Sequence, residues 1–427
     1  MSMNKLYIVL FLLVASVRLY AQEHITIDQC QTWAVAQTSA NVQKDLNGQI
    51  LKENLGNASA HLYPKLSLNG NFTYQSARNP WEDSYTTDIS PFDNNLPYKM
   101  QYNIGLDFEQ TVFEGGKIFF GRHYEYLKNE AEIYKIDLAM NEVKAQVINL
   151  YLSYLILDKQ MGIIENVQST FEDQIKQLKV LLQEGVISAN TLSQLELEAL
   201  KIEQNYEELK ARKNSVISSL SILTGKDLSE AVFEIPKLPA ADVVNDNSER
   251  LEFAIFENQK KQLEYQRKLH FSNSLPSLSF YATGGYGRPD YPFYLNKNQW
   301  YYMAGVHLHV PVIEWAKTSG VGKVINIQKE ILQSKEQDFR KSNQIAIQDK
   351  LNEIHRIEQL LVLDEQITAK YKNLSKTSSS QLVNGTITAI DYIRQHNDEL
   401  QSLMNQELHS IQLLKAKYEL LALRGQI

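Results

Sequence analysis

The sequence is poor in several things that would otherwise fix its class. It has one cysteine, Cys30, in 427 residues, so no intramolecular disulfide holds it together. Cys30 reads as a small buried helix residue, a common use of a free thiol. After the first twenty-odd positions no apolar run reaches the length of a membrane-spanning helix. Basic charge is in deficit, with 43 Lys and Arg against 50 Asp and Glu and a net charge of −7. That argues against nucleic acid as a partner. The chain has no phosphate-cradling G-x-x-x-x-G-K-[ST] loop and no G-x-S-x-G elbow. Its nine histidines fall at no spacing that suggests a nucleophile relay. The expectation is a protein that is not an enzyme and uses no cofactor.

The N-terminus reads MSMNKLYIVLFLLVASVRLYAQ. Lys5, an apolar run over Leu6–Val17 and a cut after Ala21 describe a secretory signal peptide over 1–21. Its removal takes away Lys5 and Arg18 and no acid, so the charge moves from −7 to −9.

The rest of the chain repeats itself, the sign of an architecture built from copies. YNIGLDFEQTVFEGGK at 102–117 aligns with YMAGVHLHVPVIEWAK at 302–317, matching Tyr102 with Tyr302, Gly105 with Gly305, Val112 with Val312 and Glu114 with Glu314. The same shift aligns EGVISANTL with NGTITAIDY, placing Gly185 over Gly385. This gives a first repeat over 22–224, a linker over 225–248 with two prolines, and a second repeat over 249–427. Expected helices cover about 28–61, 117–182, 189–223, 249–272, 317–382 and 389–424, and expected strands about 65–76, 98–113, 277–287 and 300–313.

Strand side chains alternate between faces. Leu66, Leu68, Phe72 and Tyr74 oppose Ser67, Asn69, Asn71 and Thr73. Ile104, Leu106 and Phe108 oppose Asn103, Asp107 and Glu109, and Val306, Leu308 and Val310 oppose His307 and His309. In the third strand Tyr281 breaks the pattern. Segments of this length suit tilted transmembrane strands, and Tyr98, Phe113, Trp300, Tyr301 and Trp315 sit at their ends as an interfacial girdle would. Four strands leave two open edges, which lipid does not tolerate. Several copies must therefore share a barrel of eight, twelve or sixteen strands. The longest helical tract, about 66 residues or roughly 100 Å at 1.5 Å per residue, carries charge on one face and Leu, Ile, Tyr and Ala on another. It is built to pack in water against other helices.

With these features in order, the chain resembles the TolC family of outer-membrane efflux proteins. The resemblance rests on the repeat, on LYPKLSL and SLPSLSF opening two strands, on VFEGGK and VIEWAK before the long helices, on EGVISANTL and NGTITAIDY at the turns, and on LTGKDL before the linker. It implies a mixed α and transmembrane β protein. Each chain would be one protomer of a trimeric 12-stranded β-barrel continuing into a long periplasmic α-helical barrel. It implies an outer-membrane location and a passive exit duct of a tripartite efflux or type I secretion system. The partners would be two further copies of the chain, outer-membrane lipid, a periplasmic adaptor and, through the adaptor, an inner-membrane transporter. The alternative is a periplasmic coiled-coil scaffold or interaction protein without a pore.

Gly185 and Gly385 suit the left-handed position past a helix end, and Ser188 and Thr388 suit N-caps. The resemblance adds that Gly185, Val186, Ile187 and Ser188, with Gly385, Thr386, Ile387 and Thr388, form the hairpin tips where the adaptor docks. Asp391 follows Thr388 by three, where a helix start favours an acid. In some relatives this position and the one three later both carry Asp and constrict the periplasmic aperture. Here the second is Arg394, and the first repeat has Thr191 and Gln194. Asn103, Asp107, Glu109, His307 and His309 are expected to face a watery lumen. A metal on His307 and His309 would need a third and fourth ligand, and the 200-residue repeat sets Asp107 and Glu109 at the equivalent positions, so a shared polar ring is conceivable; solvated lumen residues are the expectation, and no metal.

Overall fold

The computed structural model describes residues 24–74, 76, 100–237, 250–288, 298–312 and 315–426. The expected leader, Tyr98 and the linker from 238 on lie outside the described residues, as does the side chain of Trp315. Described helices are α1 (Ile27–Gln37), α2 (Ala40–Ser59), α3 (Lys117–Gln183), α4 (Ala189–Thr224), α5 (Leu251–Ser272), α6 (Trp315–Val383) and α7 (Ala389–Leu423). Strands are β1 (His24–Ile25), β2 (Lys65–Tyr74), β3 (Met100–Glu114), β4 (Val232–Phe233), β5 (Ser277–Arg288) and β6 (Gln299–His309). The succession helix, strand, strand, long helix, helix occurs twice.

The expected helix over 28–61 is in fact two. Thr38 leaves the helical region at ψ 155°, and its hydroxyl donates to Val35 O at 2.7 Å. A threonine that bonds its own turn competes with helix continuation.

The chain forms two compact units. The first comprises residues up to Gln43, Lys135–Leu251 and Asp338–Ile427. All three clusters of buried hydrophobic side chains among the described residues lie in it. In one, β1 and β4 pair in parallel and close over α3. Tyr151 is fully buried there, with its hydroxyl 2.7 Å from the carbonyls of Ile25 and Glu234. Part of the expected linker is therefore packed structure. Cys30 sits in the same cluster, and burial pushes its thiol up to about 11.

In the second cluster Ile164, Val167, Phe171, Gln174 and Leu178 of α3 are buried at alternating spacings of three and four, and Leu192, Leu195, Ile202 and Leu209 of α4 keep the same rhythm. That is the seam of a coiled coil. The α6–α7 hairpin buries a more polar set: Thr368, Ser375, Ser378, His396 and Ser402. His396 accepts from or donates to Ser375 Oγ at 3.0 Å and lies against Phe171 and Tyr392. Glu399 stands 3.5 Å from its Nδ1, and its Nε2 has no hydrogen-bond partner. Burial holds this imidazole below its ordinary value, against the opposing charge of Glu399. The unfolded chain takes up a proton below about pH 6.5 while folded His396 resists it. Stability is thus full above that value and falls as pH drops through it. The loss of melting temperature between about pH 7.5 and about pH 5 should be smaller in His396→Gln than in the parent. An equal loss in both would show that other groups govern it.

The second unit, Lys44–Tyr134 with Glu252–Gln337, is held differently. Its helices are joined by polar bonds along their sides. Asn54 donates to Glu125 at 2.9 Å and Arg122 to Ser59 at 2.7 Å. Asn258 donates to Glu130 at 2.7 Å, and Lys260 pairs with Glu336 at 2.6 Å. The unit's sheet has the order β2-β3-β5-β6 and is antiparallel throughout.

Candidate functional site

Directly paired residues on antiparallel strands share a face, so the ladder assigns each side chain. Leu68 pairs with Leu106, Phe108 with Ala282, Phe280 with Val306 and Leu278 with Leu308. Apart from Gln110, level with Phe280, and Arg288, level with Tyr102, this face is apolar across all four strands, and it is uncovered: Leu68 is 67% exposed, Leu106 50%, Val306 65% and Tyr302 92%. A soluble monomer seldom leaves so wide an apolar patch open to water.

The opposite face is polar. Asn103 pairs with Gly287, Asp107 with Thr283, Glu109 with Tyr281, His307 with Ser279 and His309 with Ser277. Asp107 accepts from Thr283 Oγ1 at 2.8 Å and from Asn69. Asn103 accepts from the Tyr301 hydroxyl at 2.8 Å. All five residues expected on the wet face share it. The two histidine rings lie parallel, 6.4 Å apart. Positions matched by the 200-residue shift do not meet, because Asp107 lies level with Thr283 and Met303, whereas His307 lies level with Ser279 and Thr111. Among the described residues no group of three or more His, Cys, Asp or Glu is placed to hold a metal.

Three details were not anticipated. Tyr281, the residue that broke the alternation, lies over its partner Gly305, where a Cβ would stand 2.7 Å from the hydroxyl. Tyr301 covers Gly285 in the same way at 2.6 Å. It therefore belongs to the polar face, and only Trp300 of that pair is on the apolar one. Each aromatic sits opposite a glycine, a known way to protect exposed backbone in a sheet, and the register between strands is what brings them together. Third, the ladder slips between Thr111 and Phe113, leaving Val112 without a β5 partner. This β-bulge puts odd-numbered Phe113 on the apolar face beside Leu278.

The two hairpin ends are built alike. Gly185 and Gly385 have φ of 75° and 69°. Gly185 N donates to Leu182 O at 3.1 Å and Val186 N to Leu181 O at 2.9 Å; Gly385 and Thr386 repeat both bonds with Leu382 and Gln381. These are Schellman closures. Ser188 and Thr388 then cap α4 and α7 by accepting from Thr191 N and Asp391 N. Ile187 and Ile387 turn in against the second cluster, while Val186 and Thr386 stay exposed. Asp391 accepts from the Thr388 hydroxyl at 2.6 Å, which holds its carboxyl below the usual range, with Arg394 adding to the effect. Within one chain Asp391 and Arg394 form no ion pair among the described residues, and Arg394 is exposed.

No protein-family model matches this sequence, and no curated protein matches it either. Solved structures do. The CmeC outer membrane channel of Campylobacter jejuni is 14% identical, with a TM-score of 0.68 over 94% of this chain and 85% of that one. The outer membrane protein VceC of Vibrio cholerae is 12% identical, with a TM-score of 0.69 over 93% and 96%. The open state of the Neisseria gonorrhoeae MtrE outer membrane channel is 14% identical, with a TM-score of 0.66 over 94% and 89%. The chain has the fold of these TolC-type outer-membrane channels, along nearly its whole described length. The proteins that share the fold are channels rather than enzymes.

Proposed function

We propose that the chain is one protomer of a homotrimeric outer-membrane channel. It lends four strands to a twelve-stranded barrel, and its helical hairpins build a periplasmic α-helical barrel. The channel is the passive exit duct of a tripartite efflux or type I secretion system. A periplasmic adaptor docks on the tips at Gly185–Ser188 and Gly385–Thr388 and links it to an inner-membrane pump. The observation that carries this reading is the sheet: largely apolar and uncovered on one face, polar on the other, with β2 and β6 as its edges among the described residues. In lipid such edges must be paired, and further copies of the same chain can pair them. A scaffold without a pore needs no polar face turned away from an apolar one. The protein should fractionate with outer membranes and resist extraction by salt and by alkaline carbonate. Recovery in the soluble periplasmic fraction would reject the reading.

On the same reading Asp391 and Arg394 of three chains ring the periplasmic aperture. Arg394 of one chain then offsets Asp391 of its own or the next chain, since residues three apart on a helix lie on one side. Arg394→Ala should raise resting conductance in planar bilayers, and high salt should partly mimic it by screening. Asp391→Ala should lower cation preference. Parental conductance and selectivity in both variants would leave these as helix-start residues only.

A further inference from the structure

The second unit contains a cavity of about 680 Å³, bounded by α5, the start of α3 and the start of α6. We propose that it binds the phosphate of an anionic phospholipid. Its walls carry Arg267, Lys268 and Lys323, and among the described residues no Asp or Glu lines it, in a chain whose net charge is −7. Lys268 stands 3.6 Å from Glu264 and over the Tyr265 ring. Arg267 and Lys323 are exposed and make no ion pair among the described residues. Beside these cations Phe120, Phe271 and Leu275 give the cavity an apolar wall. A phosphodiester fits the guanidinium fork and the ammonium, and acyl chains fit the aromatic and leucine side.

Position supports the same ligand. Leu275 lies two residues before β5 begins, and Gly115, which also lines the cavity, directly follows the end of β3. The inference rests on the channel reading, in which these strand ends mark the boundary between the acyl region and the headgroups. A basic pocket at that level is where an anionic headgroup is held.

The test is native mass spectrometry of the full protein in mild detergent, titrated with phosphatidylglycerol, phosphatidylcholine or glycerol 3-phosphate. Phosphatidylglycerol should be retained in preference to phosphatidylcholine. The double variant Arg267→Gln, Lys323→Gln should weaken that binding by about tenfold or more, each cation near a membrane surface being worth a several-fold change. Glycerol 3-phosphate should not displace the lipid at equal concentration, because it lacks the chains. Equal binding of both lipids, or unchanged binding by the variant, would overturn the inference. Displacement by glycerol 3-phosphate would assign the cavity to a small anion instead, and no lipid on the parent would assign it to another occupant such as a neighbouring copy. Fractionation of the same samples separates the two claims: absence from membranes sinks the channel reading, whereas membrane-bound protein without lipid preference sinks this inference alone.

Discussion

Leu106→Arg should abolish or strongly reduce membrane assembly, while Gln101→Arg should be tolerated. Both residues are on β3, but they lie on opposite faces. Leu106 pairs with Leu68 on one side and Gly284 on the other, within the apolar face, and is half exposed. An arginine on the lipid side near the bilayer midplane costs about 2–4 kcal/mol. Gln101 pairs with Thr73 on the polar face, where an arginine keeps its water. Gln101 is a cleaner control than Asn103, because Asn103 accepts the Tyr301 hydroxyl and its replacement would also remove a hydrogen bond. The measurement is the amount of heat-resistant oligomer in outer-membrane fractions. Equal yields for the two variants would mean that the faces are assigned wrongly.

Gly115→Ala should be the most damaging single methyl addition outside the apolar face. Gly115 has φ +57°, and a Cβ there would stand 2.5 Å from Ser272 O and 2.8 Å from Leu275 Cβ. The left-handed backbone costs a residue with a Cβ about 1–2 kcal/mol. The clash is mostly with backbone, so the turn after β3 or the end of α5 must also move, at about 1–3 kcal/mol for overpacking of this kind. Gly185→Ala supplies the comparison: its φ is +75°, but a Cβ there meets nothing within 4 Å. It should show the conformational cost without the collision. Thermal unfolding should therefore place the Gly115 variant well below the Gly185 variant. If the two lost equal stability, the close approach at Ser272 would not matter.

The elements themselves were legible because their periods are strong. The two long helices and their returns fall within two residues of expectation at each end, and the turns between them declare themselves through Gly185, Ser188, Gly385 and Thr388. The two faces of the sheet could be read because hydrophobic alternation has a period of two and the register preserves it. What escaped were features set by neighbours across the sheet. Whether Tyr281 and Tyr301 cover glycines depends on which residues they are paired with, and a single strand does not say. The bulge at Val112 adds one residue to one strand and so carries odd-numbered Phe113 over to the apolar face, which strict alternation does not foresee. The break at Thr38 turns on one hydroxyl bonding its own helix turn. The cations around the α5 cavity are spread over 267–323 and form no motif. The glycines and caps expected at the hairpin ends, Gly185, Ser188, Gly385 and Thr388, are where the sequence placed them.

The central claim is that this open, two-faced sheet closes with other copies of itself in a membrane. Counting chains in the detergent-extracted outer-membrane protein by native mass spectrometry tests it most directly. The account predicts a complex of three mature chains, stable in mild detergent and reduced to single chains only by denaturation. A folded, water-soluble single chain as the dominant species would contradict it.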